Sequence, residues 1–420
     1  MKMNIKVKRP VAVAVMLAAS IVQAEMMDRP VGIKIGQRLT LKPYLSFSAT
    51  YDNNVSSSKS GSEDVILSVN PGFTIDYLAE SWFLKGMGNY SYNNYMRSGH
   101  AKEYSYHNYG ESLIFGWNSA PKSEKGWSLM LTQSFTLINS LNDMTLSDGS
   151  SYGRDTRDFR FSAALEHRFT EQLHADVNTS YSWLDYDNSN QRAAMYGWSR
   201  WMIGGEIGFA TSKWFDLLVS GHYQSYRQDN TSNSYYDGMG YGSRLSNDSK
   251  SWSLMAGFGS FATDRISYRL LVGWNHFEYA GKVHSTDAMT YSASAHWLIG
   301  ETWNMMFLAS CYYQPSEREY GSSQRTDSMS WGIAKSLVRG KMNATFDMCY
   351  RHEGHDYSTL NNQDYNVDTL TFRLGLNYTL NRYIALFCRA EYRKSFEDGR
   401  STANYDYERV RGSLGFRLTY

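Results

Sequence analysis

Beyond its first two dozen residues the chain has no apolar run long enough to cross a membrane as a helix, and its mean hydropathy is −0.51. A helical membrane protein is thereby excluded. Surplus charge is also lacking. Lys and Arg number 42 against 41 Asp and Glu, a net +1 that becomes −3 if Lys2, Lys6, Lys8 and Arg9 leave with a leader. No basic character remains to suggest nucleic acid as a partner. Cysteine is scarce, with three residues, and the first is Cys311, so no thiol stands where a lipid would be attached behind a leader. Proline is scarce too, at six. What the chain has in excess is aromatic: 33 Tyr, 19 Phe and 12 Trp. That excludes a disordered chain and matches β-rich surfaces and membrane-interface belts. A chain of this kind enters a membrane only as a closed β-barrel.

Residues 1–24 read as a secretory signal peptide: four cations, an apolar core from Val11 to Val22, then Val22-Gln23-Ala24 before Glu25. The core is shorter than the roughly 20 residues an uncleaved anchor needs. Residues 25–38 are expected to be a periplasmic segment and 39–420 the barrel, with no composition shift marking a further domain. Cys311, Cys349 and Cys388 fall on three non-adjacent strands, too far apart to bridge, and read as unpaired packing residues.

From about residue 39 the sequence alternates apolar and polar positions over ten to fifteen residues at a time. Clear cases are Leu39, Leu41, Leu45, Phe47, Ala49 and Tyr51, then Trp127 to Leu137, Phe159 to Phe169, Leu173 to Trp183, and Leu370 to Leu380. Connections alternate in length. Tight turns are expected near 79–81, 170–172, 211–213, 263–265, 300–302, 339–341 and 381–382. Long polar loops are expected at 52–63, 139–156, 228–247, 315–326 and 354–366. This is the two-rim pattern of an outer-membrane barrel. The count gives an all-β, transmembrane antiparallel barrel of about 18 strands (16–18), both termini on the short-turn rim. Residues 82–95, interrupted by Gly86 and Gly88, and 104–118, where Glu111 falls on the outward parity, fit least well; a bulge or register shift is expected there.

Aromatics crowd the strand ends beside the short turns (Trp82, Trp117, Trp127, Trp214, Trp297, Trp303) and beside the long loops (Tyr51, Tyr181, Trp183, Tyr223, Tyr313, Trp331, Tyr350). These form two girdles against the outer-membrane lipid. Phe416, Leu418 and Tyr420 end the chain on one face. That ending resembles the C-terminal signal read by the barrel-assembly machinery.

Inward parity is polar, with Ser128, Thr132, Ser134 and Thr136 on one strand and His174, Asp176, Asn178, Ser180 and Ser182 on another. Toward the C-terminus it becomes charged: Arg351, Arg373, Arg389, Glu391, Arg393, Arg409, Arg411 and Arg417 are the expected pore-lining residues. As a cationic wall they would select anions or acidic sugars. As partners of Asp347, Glu391, Glu166 and Asp176 across the lumen they would stiffen it, each solvated pair adding little. Inward rings read as few, Tyr312 and Phe387. His352-Glu353-Gly354-His355-Asp356 lacks the helical His-Glu-x-x-His spacing of a zinc site and reads as the start of a solvated loop. No nucleophile elbow, phosphate loop or dinucleotide fingerprint occurs, so neither a catalytic site nor a metal or cofactor is expected.

Ile33-Lys34-Ile35-Gly36, Leu41-Lys42-Pro43-Tyr44-Leu45, Tyr51-Asp52-Asn53-Asn54 and Asn70-Pro71-Gly72-Phe73 with Tyr77 resemble a family of outer-membrane β-barrel porins whose members often accompany exopolysaccharide production genes. The likeness is strongest over 33–95. It implies a barrel with a transport or export role and supplies no catalytic residues. The Tyr-Asp-Asn-Asn element reads as a girdle tyrosine followed by turn-forming residues that open the first outer loop. The expected function is passive diffusion of small hydrophilic solutes, with a bias to anions. The alternatives are a component of exopolysaccharide export or assembly, and a structural or adhesive barrel plugged by loops 139–156 or 228–247.

Overall fold

The computed structural model describes residues 32–55, 63–96, 106–119, 126–145, 151–186, 197–212, 214–228, 248–260, 265–279, 285–315, 322–357, 365–399 and 406–420. The signal-peptide reading of 1–24 lies outside the described residues, as does most of the 228–247 loop.

The strands are β1 (Ile33–Ile35), β2 (Leu39–Asp52), β3 (Asp64–Leu78), β4 (Trp82–Tyr95), β5 (Tyr106–Asn118), β6 (Gly126–Thr145), β7 (Ser151–Arg168), β8 (Leu173–Tyr186), β9 (Trp198–Ser212) and β10 (Phe215–Gln228). There follow β11 (Ser249–Ser260), β12 (Ile266–Tyr279), β13 (Ser285–Ile299), β14 (Trp303–Pro315), β15 (Ser322–Leu337), β16 (Met342–Tyr357), β17 (Tyr365–Asn381), β18 (Ile384–Gly399) and β19 (Tyr407–Thr419). From β2 onward each pairs antiparallel with the next, and β19 pairs with β2, closing an 18-stranded barrel. Short turns are set by local chemistry. Asn381 Oδ1 accepts the backbone N–H groups of Tyr383 and Ile384 at 2.8 and 3.0 Å, and Thr170 Oγ1 those of Gln172 and Leu173 at 3.2 and 2.9 Å. Gly300, at φ 61°, opens the turn between β13 and β14, where a side chain would be strained.

Strands run further into the long loops than the sequence pattern indicates. β6 and β7 take in most of 139–156, β15 starts at Ser322, and β16 ends at Tyr357. His352 and Glu353 therefore sit inside β16 on opposite faces, His352 outward on Asp368 at 2.9 Å and Glu353 inward beside Arg351. A strand cannot aim both at one ion. Among the described residues no group of three or more His, Cys, Asp or Glu is placed to hold a metal.

The expected bulge at Glu111 is absent. The β4–β5 ladder is continuous through Gly88↔Glu111, and Glu111 points outward with the Tyr109 hydroxyl donating to it at 2.6 Å. Gly88, outward on β4, is covered by the Phe73 ring. Leu67, Val177, Ile207, Val219, Leu254, Leu374 and Leu414 are exposed on the outward face as lipid-facing positions. The girdle residues Trp127, Trp297, Trp303, Tyr51, Tyr181 and Tyr350 are exposed beside the two rims. Trp331 is the exception, mid-strand on β15 and edge-on to Phe346. Phe416, Leu418 and Tyr420 are all exposed on the outward face.

The seam between first and last strands is closed in two pieces. β19 pairs with β2 from Tyr44 to Asp52, and β1 folds back onto residues 39–41 of the same strand. Residues 33–35, within the expected periplasmic segment 25–38, thus cover an edge that would otherwise be open. Pro43 stands at the handover. Its carbonyl accepts the Tyr420 N–H at 3.1 Å, and among the described residues no strand stands where the N–H it lacks would point.

Candidate functional site

By register all eight expected pore-lining residues face inward, on β16 to β19. One row of the sheet runs Asp347, Arg373, Glu391, Arg411, Asp52 across β16, β17, β18, β19 and β2, alternating in sign at every strand. Opposite charges directly across neighbouring strands attract, and this row knits the sheet through the seam. Arg373 Nε lies 2.8 Å from Glu391 and Arg411 Nε 2.7 Å from Asp52. Arg351 pairs with Glu353 at 2.5 Å, two residues along its own strand.

Asp52, read from sequence as a turn residue, is the carboxylate that ends the paired seam on its long-loop side. It is fully buried, and Arg409, itself nearly buried, donates to both its oxygens through Nε at 3.1 Å and Nη2 at 2.7 Å. The next two residues continue the clasp. Asn53 Oδ1 accepts the Val410 N–H at 2.6 Å while its own N–H donates to Val410 O at 3.1 Å, and Asn54 Nδ2 donates to Glu408 O at 3.0 Å. The Tyr-Asp-Asn-Asn element is therefore a closure device rather than a loop opening. Extending the parity of Tyr51 by one residue would have placed Asp52 inward.

Glu166 and Asp176 are not partners of the arginines. They lie on β7 and β8, in register with each other and, at Asp176, with Glu206 on β9. β8 is nine strands round the barrel from β17, so the acidic trio lies across the lumen from the cationic wall. Arg269, from β12, hydrogen-bonds Glu206.

Arg389, Arg393 and Arg417 have no carboxylate within ion-pair distance among the described residues. Each guanidinium lies over an inward ring instead: Arg417 over Tyr44 at 4.8 Å, Arg389 over Phe387 at 5.3 Å and Arg393 over Tyr407 at 5.5 Å. Inward rings are more numerous here than the sequence reading allowed. Tyr44 was missed because its Leu-Lys-Pro-Tyr-Leu context gives it to either face, and Tyr407 because it sits at a strand end.

Lumen and lipid can be told apart by the thiols. Cys349 faces inward on β16, Cys388 is exposed on the outward face of β18, and Cys311 is buried; all three are free. A charged, membrane-impermeant thiol reagent is expected to label Cys349 alone in liposome-embedded protein. Intact mass and peptide mapping check this, and an unlabelled Cys349 would mean that water does not reach that wall.

No protein-family model and no curated protein matches the chain. Solved structures do. The FrpB iron transporter from Neisseria meningitidis aligns over 92% of this chain and 82% of that one, with 8% identity and a TM-score of 0.50. The siderophore receptor PirA from Acinetobacter baumannii aligns over 92% and 81%, with 8% identity and a TM-score of 0.48. At this identity the likeness to FrpB is one of fold. The closed barrel, its apolar outward face and its aromatic rims make this chain an outer-membrane β-barrel of the Gram-negative type.

Proposed function

We propose that the barrel is a porin-like channel for passive diffusion of small hydrophilic solutes, biased toward anions, and that it acts as a passage with no catalytic step. The observation that carries this reading is the set of three inward arginines, Arg389, Arg393 and Arg417, which have no carboxylate partner among the described residues and lie across the lumen from Glu166, Asp176 and Glu206. Barrels of 16 to 18 strands enclose an aqueous lumen when no segment fills it. Uncompensated charge on a lumen wall attracts counter-ions and orders the approach of polar solutes. In this reading the outward Phe416, Leu418 and Tyr420 present the chain end to the assembly machinery.

Purified protein in a planar bilayer is expected to give discrete open steps and a chloride-selective reversal potential in a KCl gradient. The variant Arg389→Gln/Arg393→Gln/Arg417→Gln is expected to move that potential toward zero while the steps persist. Arg373 and Arg411 are unsuitable for this test because Glu391 and Asp52 already neutralise them. A folded barrel without open steps would sink the channel reading. Such silence would favour a plugged structural barrel or a component of exopolysaccharide export, consistent with the resemblance over 33–95. The inward rings Tyr44, Phe387 and Tyr407 favour the export reading over the plugged one, because sugar chains stack on such faces.

A further inference from the structure

Arg417, Arg389 and Arg393 are not a ring around the lumen. Arg417 is in register with Ala385, four residues below Arg389 on β18, and Arg393 lies four residues above. At about 3.3 Å per residue the three backbone positions are spaced by roughly 13 Å, rising from the short-turn rim toward the long loops. Two of the stations share one further feature. The Tyr44 ring lies against Gly72 and the Phe387 ring against Gly415, so both are laid along the wall where a neighbouring strand has no side chain. The guanidinium of Arg417 rests on the first ring and that of Arg389 on the second, and Arg393 repeats the contact with Tyr407. A ring beneath a guanidinium restricts its rotamers and leaves its N–H edge, a planar fork of donors, available to a ligand. That fork matches two oxygens of one carboxylate or phosphate and has no comparable fit to a halide.

We infer that these three ring-backed arginines are successive docking stations for oxyanion groups, carboxylate or phosphate, carried in series on one elongated polyanionic solute such as an acidic oligosaccharide. This rests on the proposed reading of the lumen as a solute passage and specifies what it takes. A solute with repeated charges engages a second station at high effective concentration once the first is occupied, so a chain is held more tightly than its monomer.

The test uses Arg389→Lys/Arg393→Lys/Arg417→Lys, which keeps every charge and removes the planar fork. Probes are oligogalacturonate, galacturonate, inorganic phosphate and uncharged maltotriose, read by single-channel block and by calorimetric titration of the detergent-solubilised barrel. Heat-modifiable gel mobility verifies that the variant is folded. Wild type is expected to bind oligogalacturonate about tenfold more tightly than galacturonate, and the lysine variant to lose most of that gain while keeping its chloride preference. Phosphate binding as tight as that of the oligomer would assign single phosphate groups as the ligand and overturn the serial reading. Equal binding of oligogalacturonate by wild type and lysine variant, or equal binding of maltotriose, would overturn the inference altogether. If the channel is silent the diffusion reading fails, while the titration still decides this one.

Discussion

Asp52→Asn is expected to destabilise the closed barrel by about 3–5 kcal/mol, because it removes the negative charge that receives both Nε and Nη2 of the nearly buried Arg409. Asp52 is fully buried and the Arg409 side chain is 6% exposed, so water cannot replace the lost carboxylate. The shape is unchanged by the substitution, which isolates charge from packing. Arg411→Gln is expected to cost much less, since the Arg411 side chain is 37% exposed and its removal leaves Asp52 paired with Arg409. Urea unfolding in lipid vesicles, followed by tryptophan fluorescence, measures both. A loss below about 1 kcal/mol for Asp52→Asn, the worth of an exposed pair, would show that the seam does not depend on this clasp. The clasp also explains why the residues after Tyr51 are Asp-Asn-Asn. All three bond across the seam to residues 408–411, so the ladder continues beyond the last paired strand residue.

The second large effect lies across the barrel. Inward on β10, β11 and β12, Leu218, Met255 and Leu271 form a cluster 1%, 8% and 0% exposed, inside a lumen whose other described walls are mostly polar. They are closed off because the wall turns a corner there. An inward side chain at Gly257 would collide with the Leu270 carbonyl, and one at Gly273 with the Leu254 carbonyl. Backbone cannot give way as a flexible side chain can, so Gly273→Ala is expected to cost about 1–3 kcal/mol, and Leu271→Ala about 2–5 kcal/mol through the cavity it leaves. Both should leave the ion selectivity of the proposed channel unchanged, because the cluster is buried away from the lumen. Vesicle unfolding and bilayer reversal potentials read the two quantities separately. A Leu271→Ala barrel of wild-type stability would mean that this corner opens to the lumen.

Much of this architecture was legible as period two. A strand with one face in lipid and one in water has no other way to be written, so the outward apolar sets, the eighteen segments and the inward arginines all followed from counting alternate residues. Short and long connections could be sorted because turns need Gly, Asn or Thr at fixed places, as at Gly300, Asn381 and Thr170. Parity failed where two signals competed. Asp52 was assigned to a loop because Asp-Asn-Asn is turn chemistry, and only the proximity of β19, more than 350 residues later in the chain, turns it into the seam anchor. Glu111 looked like a register error because a carboxylate on a lipid face is costly. The structure meets that cost locally, through the Tyr109 hydroxyl near the outer girdle.

Sequence alone determined that this chain spans a membrane with strands, which face of each strand meets lipid, and which residues turn inward, because those depend on local alternation. Tertiary structure decided which arginines are neutralised. Arg373 and Arg411 find carboxylates on adjacent strands, whereas Arg389, Arg393 and Arg417 find rings and, among the described residues, no carboxylate, and no spacing along the chain distinguishes the two sets. It also decided the closure, since pairing between the first and last strands joins residues that only the curvature of the whole sheet brings together.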